Sequence, residues 1–380
     1  MNLKCIIFDA VRKLPASLPT LGALSLSMCM MSCESIYDNQ DNCDYGISLG
    51  FVYDYHMEPG ANAFPENVDC VDVLVFDTDH NLLARYYETS EELRDENYTM
   101  DLPLNPGNYH IVVYGGLACE NPAFDFTPDW NEATSRAAHK NDILVSVPLD
   151  ENGVSNNKLH DIDSRTGGLF YGTLDLQVSN EDRGIASFRK EIVHMMKNTN
   201  NIQIILQELT NPYQVNYDDY NYYITDNNFV LDGYNNPVSD TSRAANQPKY
   251  HPYSGENRIM GLVTNTSGAV EEDESTPVQV GCVEFSTSRL MTMNTNEARL
   301  VITSKNKTDV YGNEKEIINI PLITYLTAIR GYGDNWIKSD QEFLDRQSRW
   351  NMMFFLQKDV WISTRIAVNN WIVRVYDIEM

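Results

Sequence analysis

From Ile47 onward the chain alternates: Ile47, Leu49, Phe51, Tyr53 and Tyr55 are separated by Ser48, Gly50, Val52, Asp54 and His56. Period two is the mark of a strand with one buried face, so a first strand is predicted over Ile47–His56. The runs VDCVDVLVFD at Val68–Asp77 and NLLARYYET at Asn81–Thr89 flank a short polar turn and predict a β-hairpin. In LPLNPGNYHIVVYGG, Leu102–Gly116, Pro106 pre-sets φ and Gly107 is expected to supply a positive φ, feeding Tyr109–Tyr114 into a strand. Further strands are predicted at Ile143–Leu149 and Leu169–Val178. In EIVHMMKNTNNIQIILQEL two strand-like runs are expected, broken at Asn198–Asn201.

Strand patterns continue at Ile259–Val263, Val278–Ser286, Ala298–Ser304, Glu316–Pro321, Met352–Leu356 and Trp371–Tyr376. Helix is expected only locally. Leu322–Ile329 is one short candidate, and SDQEFLDRQSRW offers Ser339 as N-cap with Glu342 three residues on, a capping box. The fold class read from this pattern is all-β: two β-sandwiches in tandem, with the short helices in the second. The boundary is placed near Glu181–Gly184, giving domains over residues 47–182 and 183–380. The phrase TSRAA occurs at Thr134–Ala138 and Thr241–Ala245, both times in polar sequence, and reads as exposed connector.

Composition agrees with a β-rich globular chain of 380 residues, with 42% hydrophobic and 22% charged residues and 22 tyrosines. A formal charge of -26 argues against nucleic acid as a partner, because a phosphate backbone would be repelled.

The first 32 residues read as an export signal. Lys4, Arg12 and Lys13 precede an uncharged run, Leu14–Ser32, whose prolines, serines and threonine favour cleavage over permanent membrane insertion. At its end stand Cys29 and Cys33, with Cys43 beyond. Their spacing is poor for zinc, and a disulfide between Cys29 and Cys33 would lie in or beside the discarded segment. The remaining chemistry is acylation of a thiol that becomes the new N-terminus. The small residue this needs is Ser32, before Cys33, whereas Met28 precedes Cys29, so Cys33 is the expected lipidation site. Residues 33–46, with Glu34, Asp38, Asp41 and Asp44, then form an acidic tether. Cys43, Cys70, Cys119 and Cys282 remain, and four thiols allow three pairings. Cys70 and Cys282 lie inside strand patterns, where a buried unpaired thiol is an equally good reading.

DTDHNLLARYYE, Asp77–Glu88, carries oxygen ligands at calcium-loop spacing, but Leu82 stands where the loop needs glycine, so a hairpin turn is the better reading. The tyrosines of Tyr213–Asn236 suggest either a sugar platform or an edge hairpin whose tyrosines alternate faces, and the hairpin is preferred. No nucleophile elbow or zinc motif occurs, so no catalytic residue, metal ligand or cofactor site is assigned.

The phrases SCESIYDNQDNC from Ser32, VDVLVFDTDHNLL from Val71, LPLNPGNYHIVVYGG from Leu102, LFYGTLDL from Leu169, KNTNNIQIILQEL from Lys197, SDQEFLDRQSRWNMMFFLQ from Ser339 and RIAVNNWIVRVYDIE from Arg365 occur in order. As a set they resemble the fimbrillin-A-associated anchor lipoproteins of Bacteroides-type type V pili. The resemblance implies transthyretin-like sandwiches, lipidation at the position of Cys33, a seat at the outer membrane by the pilus base, and no enzymatic activity. The partners it implies are fimbrial stalk subunits, joined by β-strand addition, and outer-membrane lipid. Trp371–Met380, or a groove beside Ile47–His56, is the expected contact. A stalk or tip subunit of the same superfamily is the nearest alternative, but no arginine for processing lies between Cys33 and Val71. A surface glycan-binding lipoprotein is the alternative from another class, with Tyr220, Tyr222 and Tyr223 as its test residues.

Overall fold

The computed structural model describes residues 45–57, 60–119, 122–128, 138–155, 168–182, 188–238, 248–262, 273–294, 298–330, 336–368 and 371–377. Strand dominates. The first half contributes β1 Gly46–Val52, β2 Val71–Phe76, β3 Leu82–Glu88, β4 Thr99–Pro103, β5 Gly107–Gly115, β6 Asp125–Thr127, β7 Leu144–Ser146 and β8 Phe170–Val178. The second contributes β9 Arg189–Lys197, β10 Thr199–Glu208, β11 Tyr220–Thr225, β12 Val230–Asp232, β13 Lys249–Tyr250, β14 Ser254–Leu262, β15 Asp273–Ser288, β16 Arg299–Thr308, β17 Glu314–Pro321, β18 Arg349–Gln357, β19 Val360–Val368 and β20 Trp371–Asp377. The helices are short: α1 Phe64–Asn67, α2 Leu322–Thr327 and α3 Asp340–Arg346.

Four sheets result, with strand orders β3-β2-β5-β8-β9-β1-β4, β14-β15-β10-β18-β19-β20, β13-β11-β16-β17 and β12-β7-β6. The all-β expectation holds. The expected β2–β3 hairpin is present, running from Val71 opposite Glu88 to Phe76 opposite Leu82. Its turn is closed by Asp77, whose Oδ1 accepts from the backbone N–H of Asp79 and of Asn81, both at 2.9 Å. This carboxylate closes a turn, as the hairpin reading of Asp77–Glu88 required.

Four local expectations need correction. The first strand stops at Val52, because the Asn62 side chain takes the Tyr53 N–H at 3.0 Å and draws the chain out of the ladder. Gly107 is not among the described glycines with positive φ; it already begins β5, and the positive φ falls at Gly116 (94°). A side chain at Gly116 would sit 2.0 Å from the Gly168 carbonyl oxygen, so glycine is required there. The break expected at Asn198–Asn201 shrinks to Asn198, since β10 starts at Thr199. Asn200 and Asn201 stay in the strand because their amides find partners: Asn200 donates to the Ser288 carbonyl and accepts from the Trp350 indole N–H, and Asn201 donates to the Tyr253 hydroxyl. At α3, Ser339 Oγ accepts from the Glu342 N–H at 3.1 Å as expected, but Glu342 reaches back to the Lys338 N–H at 2.9 Å, one residue earlier than a capping box requires.

The main core is built where β10 runs antiparallel to β15 and parallel to β18. Ile202 lies opposite Phe285 and Trp350, and Ile204 opposite Val283 and Met352, all buried in one hydrophobic cluster. β18 is apolar on both faces: Trp350, Met352, Phe354 and Leu356 join that cluster, while Met353 and Phe355 pack with Ile205 and Ile362 on the other side. That double burial explains its near-continuous apolar run, MMFFL.

Contact density divides the chain into two compact units. One takes Met1–Leu49, Thr99–Gly107 and Gln177–Glu191; the other takes Gly50–Tyr98, Asn108–Leu176 and Ile192–Met380. In the smaller unit Asp182 accepts from Arg189 Nε at 2.7 Å and from the Ser179 N–H at 2.7 Å, fastening the end of β8 to the start of β9. The larger unit holds the main core. Residues 1–44, both TSRAA phrases apart from Ala138, and Arg183–Gly184 of the expected boundary lie outside the described residues.

Candidate functional site

The six-stranded sheet ends on β20, which pairs with β19 from Ser363 opposite Asp377 to Val368 opposite Trp371. Its other edge has no partner strand among the described residues, so a row of N–H and C=O groups faces outward. The sequence of this edge, WIVRVYD, carries no proline, so each of its residues has a backbone N–H to offer; its charged residues are Arg374 and Asp377. A backbone of this kind can accept an extended segment from another chain, with main-chain hydrogen bonds supplying affinity.

The β18–β19 turn fixes where that edge lies. Lys358 and Asp359 both adopt positive φ, 53° and 61°, a pair of values that suits Asn-Gly far better than Lys-Asp. Side chains from elsewhere hold the turn. The Glu208 carboxylate at the end of β10 accepts from the N–H groups of Thr210 (2.8 Å), Lys358 (3.1 Å) and Asp359 (3.3 Å). Asp359 in turn accepts from the Tyr220 hydroxyl at 2.6 Å and from the Lys307 ammonium. Beyond the turn, the Trp361 indole N–H donates to Thr364 Oγ1 at 2.9 Å while its ring meets Phe354 and Tyr325.

The sequence-predicted positions distribute unevenly over this picture. Cys33 and Cys43 lie outside the described residues. The first strand has no open edge, because β1 lies between β9 and β4; the groove expected beside Ile47–His56 is filled by the chain itself. Of the remaining thiols, Cys70 and Cys119 form a disulfide and Cys282 is free and buried. Cys70 is therefore a cross-link rather than a core thiol, and burial pushes the Cys282 thiol up to about 11, leaving it protonated and unreactive.

Tyr220 and Tyr222 point into the main core, and Tyr223 on the opposite face stacks on His251 with the Lys249 ammonium 4.3 Å from its ring centre. The alternation of faces is as expected, but β11 lies between β13 and β16 rather than at an edge, and the three rings form no common platform. Among the described residues no group of three or more His, Cys, Asp or Glu side chains is placed to hold a metal ion. Arg85 sits within β3 with its Nε 2.6 Å from the Asp72 carboxylate, so it is part of a paired strand and not an exposed processing loop. Sequence reading missed β19, although Val360, Ile362, Thr364 and Ile366 alternate, because the Lys-Asp turn before it carries no hairpin signature.

Residues 40–377 match the family model of the fimbrillin-A associated anchor proteins Mfa1 and Mfa2. Among solved structures, the chain is similar to a protein of Bacteroides thetaiotaomicron described as a candidate adhesin, at 36% identity and a TM-score of 0.68, covering 87% of this chain and 98% of that one. A second protein of the same organism, described as a candidate polysaccharide-binding protein, matches at 26% identity and a TM-score of 0.65 over 88% of this chain and 99% of its own. The fimbrial anchor protein Mfa2 of Porphyromonas gingivalis has a TM-score of 0.60 over 88% of this chain and 100% of its own; at 16% identity that likeness is one of fold. Among curated proteins nothing matches the chain.

Proposed function

Because the chain belongs to the family of fimbrillin-A associated anchor proteins Mfa1 and Mfa2, we propose that it is a non-enzymatic anchor subunit that holds the base of a fimbria at the outer membrane. Family membership makes it a fimbria-associated, adhesin-like protein of the cell surface. The anchoring assignment rests on two further readings. Cys33, preceded by Ser32 at the end of an export signal, carries the acyl chains; each buried methylene adds about 0.8 kcal/mol, so several chains hold the protein almost permanently. The open edge of β20 receives or donates the strand that joins a stalk subunit.

The single observation that carries the docking reading is the outward edge of β20, unpartnered among the described residues and free of proline. The stalk alternative requires a processing arginine ahead of the retained domain, and Arg85, the first arginine after Cys33, is bound to Asp72 inside β3. We take the architecture as two transthyretin-like sandwiches, expected from the sequence over residues 47–182 and 183–380. The six-stranded and four-stranded sheets draw every strand from Thr199 onward, which supports two halves, while β9, Arg189–Lys197, belongs to the seven-stranded sheet and moves the proposed boundary to Asn198.

The test is mass spectrometry of the mature N-terminus together with capture of fimbrial subunits by the full chain and by a chain lacking Trp371–Met380. An acylated Cys33 and capture lost with β20 are the expected results. An unlipidated terminus beyond β1 would place the protein among stalk subunits, and undiminished capture without β20 would overturn the docking edge.

A further inference from the structure

Three of the chain's seven histidines meet in one place. The ring centre of His80, in the β2–β3 turn, lies 5.4 Å from that of His110 on β5 and 6.0 Å from that of His139. Next to His139, Lys140 is 2% exposed, and its ammonium lies 2.6 Å from His110 Nε2 and 4.1 Å from the ring centre of Tyr234. The other nitrogen of His110, Nδ1, is 2.7 Å from the Asp175 carboxylate on β8.

Backbone contacts converge on the same point. The Lys140 N–H donates to the His80 carbonyl at 2.9 Å and the Leu82 N–H to the Ala138 carbonyl at 2.8 Å. From the 232–236 turn, the Tyr234 hydroxyl donates to Asn141 Oδ1 at 3.0 Å. Gly233 packs so closely that a Cβ there would meet the Lys140 carbonyl oxygen at 2.3 Å.

In this arrangement the His110 imidazole cannot take a second proton and stay where it is. His110 Nε2 accepts from an ammonium; protonated, it becomes a second donor aimed at the first. His80 Nδ1 is cut off from solvent and has no hydrogen-bond partner, so the ring is placed by its edge contacts with His110 and His139. We propose that His110 and Lys140, with His80 packed against the His110 ring, form an acid-sensitive latch fastening the 138–142 and 232–236 turns to the β2–β3 turn.

The charges around the latch do not rescue the protonated state. On the β2–β3 turn, the Asp77 carboxylate is spent on the N–H groups of Asp79 and Asn81. On the 138–142 turn, Asp142 is bound to the His139 N–H at 3.0 Å, and His139 Nε2 is at hydrogen-bond distance from the Asp79 carbonyl. On the 232–236 turn, Asp232 caps Tyr234 and Asn236, while Tyr171 of β8 donates to the Gly233 carbonyl. Asp175 remains as counter-ion to His110, but its side chain is 90% exposed and solvent-screened. Burial, then the neighbouring Lys140, depresses the His110 imidazole below its ordinary value, while Asp175 works the other way. Burial likewise lowers the Lys140 ammonium. A histidine whose folded-state value is depressed stabilises the fold above its unfolded value, and that contribution is lost as pH falls below about 6.5.

The test is hydrogen exchange of the full chain, corrected for intrinsic rates, at about pH 7.5 and about pH 5.5. Residues 138–142 and 232–236 are expected to lose protection about tenfold at the lower pH while β10 and β18 keep theirs. His110→Asn, which cannot take up a proton, should show no such loss. Lys140→Met should raise the His110 titration midpoint read by NMR, a shift that a merely structural contact would not give. Equal protection at both pH values, a persistent loss in His110→Asn, or an unmoved His110 midpoint in Lys140→Met would each overturn the latch.

Discussion

The hydroxyl of Tyr220 donates to Oδ1 of Asp359 at 2.6 Å across 139 residues of chain, tying β11 to the turn that launches β19. Burial, and then the Asp359 carboxylate, hold the Tyr220 hydroxyl protonated far above the usual tyrosine range, so it remains a donor. Tyr220→Phe removes a hydrogen bond to a charged acceptor and should lower stability by about 1.5–3 kcal/mol in urea denaturation. An unchanged midpoint would mean that Glu208 and Lys307 alone hold the turn.

Glu208 carries the backbone side of the same clamp. Glu208→Ala strands three N–H donors and should cost about 2–4 kcal/mol, with the largest loss of exchange protection at Lys358 and Asp359. Lys358→Gly should act in the opposite sense, raising stability by about 1 kcal/mol by removing a left-handed conformation from a residue with a Cβ. A destabilised Lys358→Gly chain would show that the lysine side chain contributes more than its backbone geometry costs.

The Cys70–Cys119 bridge closes a loop of sequence separation 49. Loop-closure entropy gives such a cross-link about 4 kcal/mol. The double variant Cys70→Ala, Cys119→Ala should unfold at correspondingly lower denaturant, and reductant should shift the natural chain but not the variant. Identical midpoints with and without reductant would count against the pairing.

In the smaller unit Asp182 is an acid-sensitive carboxylate. The Arg189 guanidinium and the Ser179 N–H bring its pKa down to about 2. Its folded-state value lies below the unfolded one, so its contribution is complete above the ordinary carboxylate range and is lost as pH falls through about 2. Asp182→Asn should therefore be less stable at neutral pH and converge on the natural chain in strong acid. Parallel pH profiles would show that the pair contributes nothing to stability.

Periodicity is local, and what is local was legible in the sequence. Alternation placed the β2–β3 hairpin, β5, β8 and β10; Ser339 marked the start of α3; and a strand pattern over Met352–Leu356 marked β18, whose burial on both faces the structure added. Pairing between distant segments carries no local signal, and there only the tertiary structure decided. It set β10 parallel to β18 with 140 residues between them in the chain, joined Cys70 to Cys119 rather than to another thiol, and closed both edges of β1 while leaving one edge of β20 without a partner strand among the described residues. It also put a left-handed turn at Lys358–Asp359, where the residues themselves disfavour it, because Glu208, Tyr220 and Lys307 arrive from elsewhere to hold it. His80, His110 and His139, which meet at the latch, are at least 29 residues apart in sequence and met only once the sheets had formed.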